Sequence, residues 1–378
     1  MLKKYKDVYK EAHNKAEQIK IFLVSNIREK TDNFVDYSGT SVISEYLSLN
    51  QQELIVESLR NSGFETVCFI DEMDFIKSYI TNNYYREDSK YPIVINTAQK
   101  GTAIGRKSLI PAFCDLYGLC HTNSNPYVVS LARNKYHCSC LLKSNGLPTT
   151  NDYLYLPNKG WLLDKRPNEG EKVIVKLNYE TSSIGLTSDN IFVYDYTKDS
   201  FIKDLASQFN QPVIVESFIE GFEVEVPVII GNETEVVLPV GITVNNQKDL
   251  GNQILDYGIR RDLKFGFYNF EKTEPEISKK LEECTKRVVQ LLGITGFGRV
   301  DYRIDYNNNI YVTDIATNPH ITKGMSFYYA FSENDLNYTQ MLETLISLSL
   351  IRSGHSLRLQ ILLERYAYSE ISGTFILI

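Results

Sequence analysis

Between Arg299 and Ala316 two short runs alternate apolar and polar residues. They are Arg299-Val300-Asp301-Tyr302-Arg303-Ile304 and Ile310-Tyr311-Val312-Thr313-Asp314-Ile315-Ala316, and they flank Asn307-Asn308-Asn309. Alternation on both sides of a turn-forming triplet predicts a β-hairpin. Side chains two apart on a strand share a face. Arg299, Asp301 and Arg303 therefore point one way, and Asp314 lies within reach of Asp301 across the pair. Two facing carboxylates repel unless positive charge separates them. A hard cation such as Mg²⁺ would supply that charge, with phosphate oxygens completing its shell. A solvent-facing hairpin with scattered charges is the plain alternative, and other segments weigh against it.

Val173-Ile174-Val175-Lys176 reads as a buried-type strand ending in a lysine, followed by the small hydroxyl-rich turn Glu180-Thr181-Ser182-Ser183-Ile184-Gly185. Such a turn offers N–H groups and hydroxyls to phosphate oxygens, with the lysine as a point charge. Val213-Ile214-Val215-Glu216-Ser217 is a second buried-type strand, and strict alternation resumes from Glu223. Each segment alone is weak evidence. Their order ahead of a two-carboxylate hairpin is strong evidence.

The 378 residues, 43% of them hydrophobic, suffice for two or three domains. A net charge of −7 and a pI near 5.5 give no sign of a nucleic-acid-binding surface. No apolar run approaches the roughly 20 residues of a membrane span, and the charged N-terminus is no signal peptide. A cytoplasmic location is expected. Six cysteines in a chain this long imply free thiols. His137-Cys138-Ser139-Cys140 lies in a helical pattern and lacks a second ligand pair at zinc spacing, which argues against a metal site there.

Residues 1 to 20 predict a surface helix, and Ile21–Val24 a first strand. The polar stretch Ser25–Ser44 is longer than common connections, which suggests a mobile or functional loop. A helix over Leu49–Asn61, ended by Gly63, and strands at Thr66–Ile70 and Ile93–Ile95 give β-α-β-α-β order, hence a parallel sheet. An amphipathic helix is expected over 336–352. The apolar tail Leu357–Ile378 calls for burial on the core or on a second copy, as in a homodimer.

At this point the chain resembles the ATP-grasp superfamily and, within it, the D-alanine–D-alanine ligases. The strings that carry the resemblance are VIVKLNYETSSIGLT, VIVESFIEGFEVEVPVI and GFGRVDYRIDYNNNIYVTDIATNP. The resemblance implies an α/β fold, α+β in its ATP-grasp part. An N-terminal parallel-sheet domain (1–108) would precede a linker and central domain (109–212) and a C-terminal domain with the hairpin and tail (213–378). The last two would clasp ATP. The family also implies roles. Lys135 and Lys176 resemble its phosphate-binding lysines. Glu216 to Ile219 resembles the hinge that contacts adenine, with Phe218 near the base, and Glu223 resembles the acid that binds the ribose. Ser182 and Ser183 resemble the loop closing over phosphates and substrate. Ser183 and Arg299 are the residues expected at the reacting groups. Asp301 and Asp314, with Asn318 in support, would hold Mg²⁺. Tyr257 and Arg260 lie in the place of the family's mobile loop, Val244 to Phe270.

Departures bear on the substrate. Asp314 stands where the family usually has Glu, and Ala316 where it has a metal-ligating Asn. The family's His-Gly-x-x-Gly-Glu-Asp-Gly stretch is replaced by Gln99 to Lys107, with Lys100, Arg106 and Lys107 but no acid. Its N-terminal acid has only Glu45-Tyr46-Leu47-Ser48-Leu49 as a counterpart, one residue out of register. A glycine has become His320. This reading makes the substrate end cationic, with Lys100, Arg106, Tyr257, Arg260 and His320 as candidate substrate contacts. The function expected is an ATP-dependent carboxylate–amine ligase, forming an amide through an acyl phosphate. Its substrates would be small-molecule carboxylates and amines other than D-alanine, with a carrier-protein arm among the candidate acceptors. A drifted D-alanine–D-alanine ligase and a nucleotide-binding protein without ligase activity are the alternatives.

Overall fold

The computed structural model describes residues 4–31, 36–37, 40–82 and 88–353. The tail Leu357–Ile378, and with it the basis for a homodimer, lies outside the described residues.

Three sheets succeed one another along the chain. The first holds β1 (Ile19–Val24), β2 (Glu65–Phe69), β3 (Tyr91–Asn96) and β4 (Cys120–His121), all parallel, in the order β2-β1-β3-β4. β1 is buried at every position, as an interior parallel strand covered on both faces must be. The helix Leu49–Asn61 begins with a capping box, Ser48 receiving the N–H of Gln51 while the Gln51 side chain receives that of Ser48.

The second sheet is antiparallel. It contains β5 (Asp152–Leu156), β6 (Gly160–Trp161), β7 (Lys172–Leu177), β8 (Ile191–Val193) and β9 (Val213–Ser217), in the order β6-β5-β9-β7-β8. β9 thus lies between β5 and β7. The expected boundary before Val213 therefore moves past Ser217, because hydrogen bonding to both neighbours fixes β9 in the middle sheet.

The third sheet holds β10 (Phe222–Ile230), β11 (Thr234–Val236), β12 (Val240–Val244), β13 (Phe265–Asn269), β14 (Gly296–Ile304) and β15 (Ile310–Ala316). β10 and β14 pair over nine positions, and β14 and β15 form the expected hairpin. Gly221, which leads from β9 into β10, has φ +128° and passes so close to the Ile304 carbonyl that a Cβ would lie 2.1 Å from its oxygen. Only glycine fits there.

Two expectations at the ends of the chain need correcting. The N-terminal segment is not one surface helix. It forms short turns at Lys4–Asp7, Lys10–His13 and Ala16–Gln18, with Tyr5, Ala12 and Ala16 buried. The last described helix, Tyr338–Arg352, is not amphipathic: every residue from 341 to 350 is buried. It packs against β3, β4, β14 and the helix Leu49–Asn61, and the N-terminal turns cover its remaining face. Ala12 N–H donates to Ser347 Oγ across that contact (2.9 Å). Burial on every side leaves no solvent-facing polar stripe, and the buried polar Ser347 is matched by a hydrogen bond instead.

Candidate active site

A cavity lies where the three sheets converge. Its floor is a row of carboxylates on adjacent strands. Glu225 of β10 is in register with Asp301 of β14, which is in register with Asp314 of β15. The β14–β15 register shifts between Asp301 and Tyr302, so that Thr313 is an extra residue on β15. A bulge of this kind re-aims side chains next to a site. Here both Thr313 and Asp314 reach the cavity.

Cations alternate with these acids. Arg299 grips Asp301 with two bonds of 2.7 Å and reaches Glu225 Oε2 at 2.9 Å. Lys135 Nζ lies 2.7 Å from Asp314 Oδ1. Burial, with Glu225 and Asp314 nearby, pushes the Asp301 carboxyl up to about 7 even against the pull of Arg299. Burial also opposes ionisation of Asp314, but Lys135 and Lys176 hold it below the usual carboxylate range. The acids of the row are thus closely matched by Arg299, Lys135 and Lys176. Among the described residues no three His, Cys, Asp or Glu side chains converge tightly enough to hold a metal alone. The pair Asp301 and Asp314 fits Mg²⁺ only as Mg²⁺ is often held, by one or two carboxylates with phosphate oxygens and water. Asn318 also lines the cavity, its amide nitrogen donating to Asn96 O (3.1 Å). Ala316 offers no side-chain ligand.

The two predicted phosphate lysines are brought together by Asn178. Its backbone carbonyl receives Lys135 N–H (3.2 Å), its side-chain oxygen receives Tyr136 N–H (2.9 Å), and its amide donates to Asn134 (2.9 Å). It thereby pins the helix Lys135–Ser144, opened by the Asn134 cap, to the end of β7, where Lys176 stands. Lys176 Nζ meets Glu216 Oε2 at 2.5 Å. Burial opposes its charge, yet Glu216, Asp314 and Glu223 hold its pKa above the usual value.

Phe218, Ile219 and Glu223 line the opposite end. Arg303, which sequence reasoning left without a role, organises them. Its guanidinium donates to Ile219 O (3.0 Å), Gly251 O (3.0 Å), Gln253 O (3.2 Å) and Glu223 Oε2 (3.2 Å), and lies 5.2 Å from the centre of the Phe218 ring. Ser182 and Ser183 line the cavity with left-handed φ of 54° and 57°. The Ser183 hydroxyl donates to Leu255 O and receives Arg260 Nε (3.0 Å), tying this turn to the 255–260 segment.

At the end nearest the N-terminal sheet the expected contacts are partly wrong. Lys100 does not line the cavity; it pairs with Asp71 (2.7 Å). Tyr257 opens the short helix Tyr257–Arg261, its N–H given to Leu186 O, and is also outside the lining. Arg106 is buried behind the wall, 2.7 Å from Glu180 Oε2 and 3.3 Å from Glu45 Oε2. Arg133 joins the same two acids at 3.1 and 3.6 Å. Glu45 and Glu180 thus supply the acids that residues 99–107 lack, and the reading of a simply cationic end is corrected. Arg260 and His320 do line the cavity. Burial first, and then Lys107, Arg260 and Arg299, lower the His320 pKa to about 4 against the pull of Glu45. Arg133, Glu180, Glu225 and Arg303 were missed as site residues, whereas Lys107 and Glu45 stood out in the sequence as departures from the family pattern. For Arg133 and Arg303 the partners lie 47 to 88 residues away along the chain, a distance local pattern cannot bridge.

The family model described as the D-ala D-ala ligase C-terminus matches residues 141–347. The chain belongs to this family. The D-alanine–D-alanine ligase of Carboxydothermus hydrogenoformans is 27% identical over 261 residues, 65% of this chain and 78% of that protein. That of Haemophilus ducreyi is 23% identical over 319 residues, 83% and 96% respectively. The ATP complex of the Bacillus anthracis D-alanine–D-alanine ligase superposes with a TM-score of 0.67 at 14% identity, covering 89% of this chain and 99% of that one. The VanG D-Ala:D-Ser ligase of Enterococcus faecalis gives 0.61 at 18%, covering 88% and 100%. The fold is therefore the ATP-grasp fold of the D-alanine–D-alanine ligases, and the chain is an ATP-binding ligase of that type. Among its described residues no helix is long and apolar enough to cross a membrane.

Proposed function

We propose that this chain is an ATP-dependent carboxylate–amine ligase that forms an amide through an acyl phosphate. The observation that carries the reading is the Glu225–Asp301–Asp314 row, flanked by Lys135, Lys176 and Arg299, facing a hinge built around Phe218 and Glu223.

Phosphoryl transfer needs positioning and charge neutralisation more than covalent help from protein. Lys135 and Lys176 are suited to hold phosphate oxygens as point charges. Glu223 is suited to the ribose diol, and the 216–219 backbone to adenine. Arg299 is suited to neutralise carboxylate and phosphoryl oxygens, as a planar fork does best. Mg²⁺ held by Asp301 and Asp314, when bound, would supply the positive charge that the migrating phosphoryl group needs. Ser182 and Ser183, tied to Leu255 and Arg260, would cover the site and keep water from the acyl phosphate. The acceptor amine then attacks the acyl carbon and phosphate leaves.

We read the substrate as an amino acid other than D-alanine, because Lys107 adds a cation to the substrate end. One observation favours the second reading, a D-alanine–D-alanine ligase: Glu45 faces the cavity and offers an acid for an ammonium group. Phosphate release with paired acids and amines, with the product mass measured, tests both. Release that needs acid and amine together supports the ligase. Efficient D-alanine dimer formation selects the second reading.

A further inference from the structure

Three cations and two carboxylates meet at the substrate end of the cavity. Arg106 and Arg133 each approach both Glu45 and Glu180. Lys107 is the most weakly held of the three. Its ammonium stands 3.9 Å from Glu45 Oε1, and among the described residues its one direct hydrogen bond is a long one, 3.4 Å, to the Thr181 hydroxyl. The side chain is 13% exposed and lines the cavity. An ammonium has three donors, so the cavity side of this one is short of acceptors. Among the described residues Glu45 Oε1, the carboxylate oxygen nearest to it, has no hydrogen-bond partner. A buried charge so weakly paired is costly. One more negative group would balance three cations against two acids. His320, the remaining titratable group facing Lys107, is neutral near pH 7 and does not alter that count.

We propose that Lys107 is an anion subsite that selects a substrate carrying a carboxylate beyond the one that reacts, as a dicarboxylic amino acid does. The proposal rests on the ligase reading above and narrows its substrate class. The γ-phosphate of ATP offers the same anionic oxygens, because Thr181 opens the hydroxyl-rich turn. The test separates the two sources.

The experiment is calorimetric titration of the full chain with AMP-PNP and magnesium, and then of the AMP-PNP complex with D- and L-aspartate, D- and L-glutamate and D- and L-alanine. The wild type should bind one acidic amino acid at least tenfold more tightly than alanine. Lys107→Met should erase that preference, Lys107→Arg should keep part of it, and AMP-PNP affinity should stay within twofold in both, which also reports that they are folded. A wild type without the preference overturns the proposal, whatever the variants do. So does loss of AMP-PNP affinity in Lys107→Met with the preference intact, because the lysine would then serve phosphate. If the preference is present but no acid and amine pair releases phosphate, the subsite stands and the ligase reading fails.

Discussion

The Lys135 ammonium lies 2.7 Å from the Asp314 carboxylate, so the lysine expected to meet phosphate and the acid expected to meet metal neutralise each other. On the proposed assignment, nucleotide and Mg²⁺ together would exchange that contact for two others, lysine to phosphate and carboxylate to metal. Asp314→Asn should therefore make ATP affinity much less dependent on magnesium. Titrations with and without the metal check this. An unchanged magnesium dependence would remove Asp314 from the metal site.

Lys176 sits at the end of β7 against Glu216. Lys176→Ala should weaken ATP binding by about 1–3 kcal/mol, the range for hydrogen bonds to charged groups. Unchanged affinity by calorimetry would mean that this strand does not face the phosphates.

Leu345, 1% exposed, lies in the helix that joins the first and third sheets. Leu345→Ala should destabilise the fold by about 2–5 kcal/mol, as large-to-small changes in packed cores do. Urea unfolding measures it, and a loss under about 1 kcal/mol would contradict the all-round burial of this helix.

Burial, and next the charge of Arg133, lower the Lys107 pKa to about 7, against the pull of Glu45. Arg106, Glu180 and His320 complete the charged or titratable groups around it. The ammonium is present below that value and is lost above it. An acidic substrate favours the charged form, so its affinity should be greatest below pH 7. The affinity should fall by up to about tenfold per pH unit above 7 until the raised pKa of the complex is passed. Titration of the wild type from pH 6 to 9 measures the slope. The slope should vanish in Lys107→Met, and a flat wild-type profile would contradict the assignment.

What could be read in advance follows from the range of the interactions. The β14–β15 hairpin and the lysine at the end of β7 announce themselves locally, through period-two alternation or a strand followed by a polar turn, and the parallel sheet through the order of strands and helices along the chain. The ion cluster of Arg106, Arg133, Glu45 and Glu180 does not, because its members come from four separate segments. Lys100 and Arg106 look alike in sequence, yet one turns to Asp71 and the other enters the cluster. The helix at 338–352 was expected to keep a solvent face, since nothing in its own sequence says that the N-terminal turns cover it. The substrate end was misread as simply cationic for the same reason: Glu45 is 61 residues from its arginine.

Phosphate release from ATP by the full chain, with matched acids and amines, tests the central claim most directly. The account predicts release only when a carboxylic acid and an amine are both present, with an amide of matching mass formed in equal amount and the activity lost in Arg299→Met. ATP hydrolysis indifferent to acid and amine, or no turnover with any pair despite tight ATP binding, would contradict it.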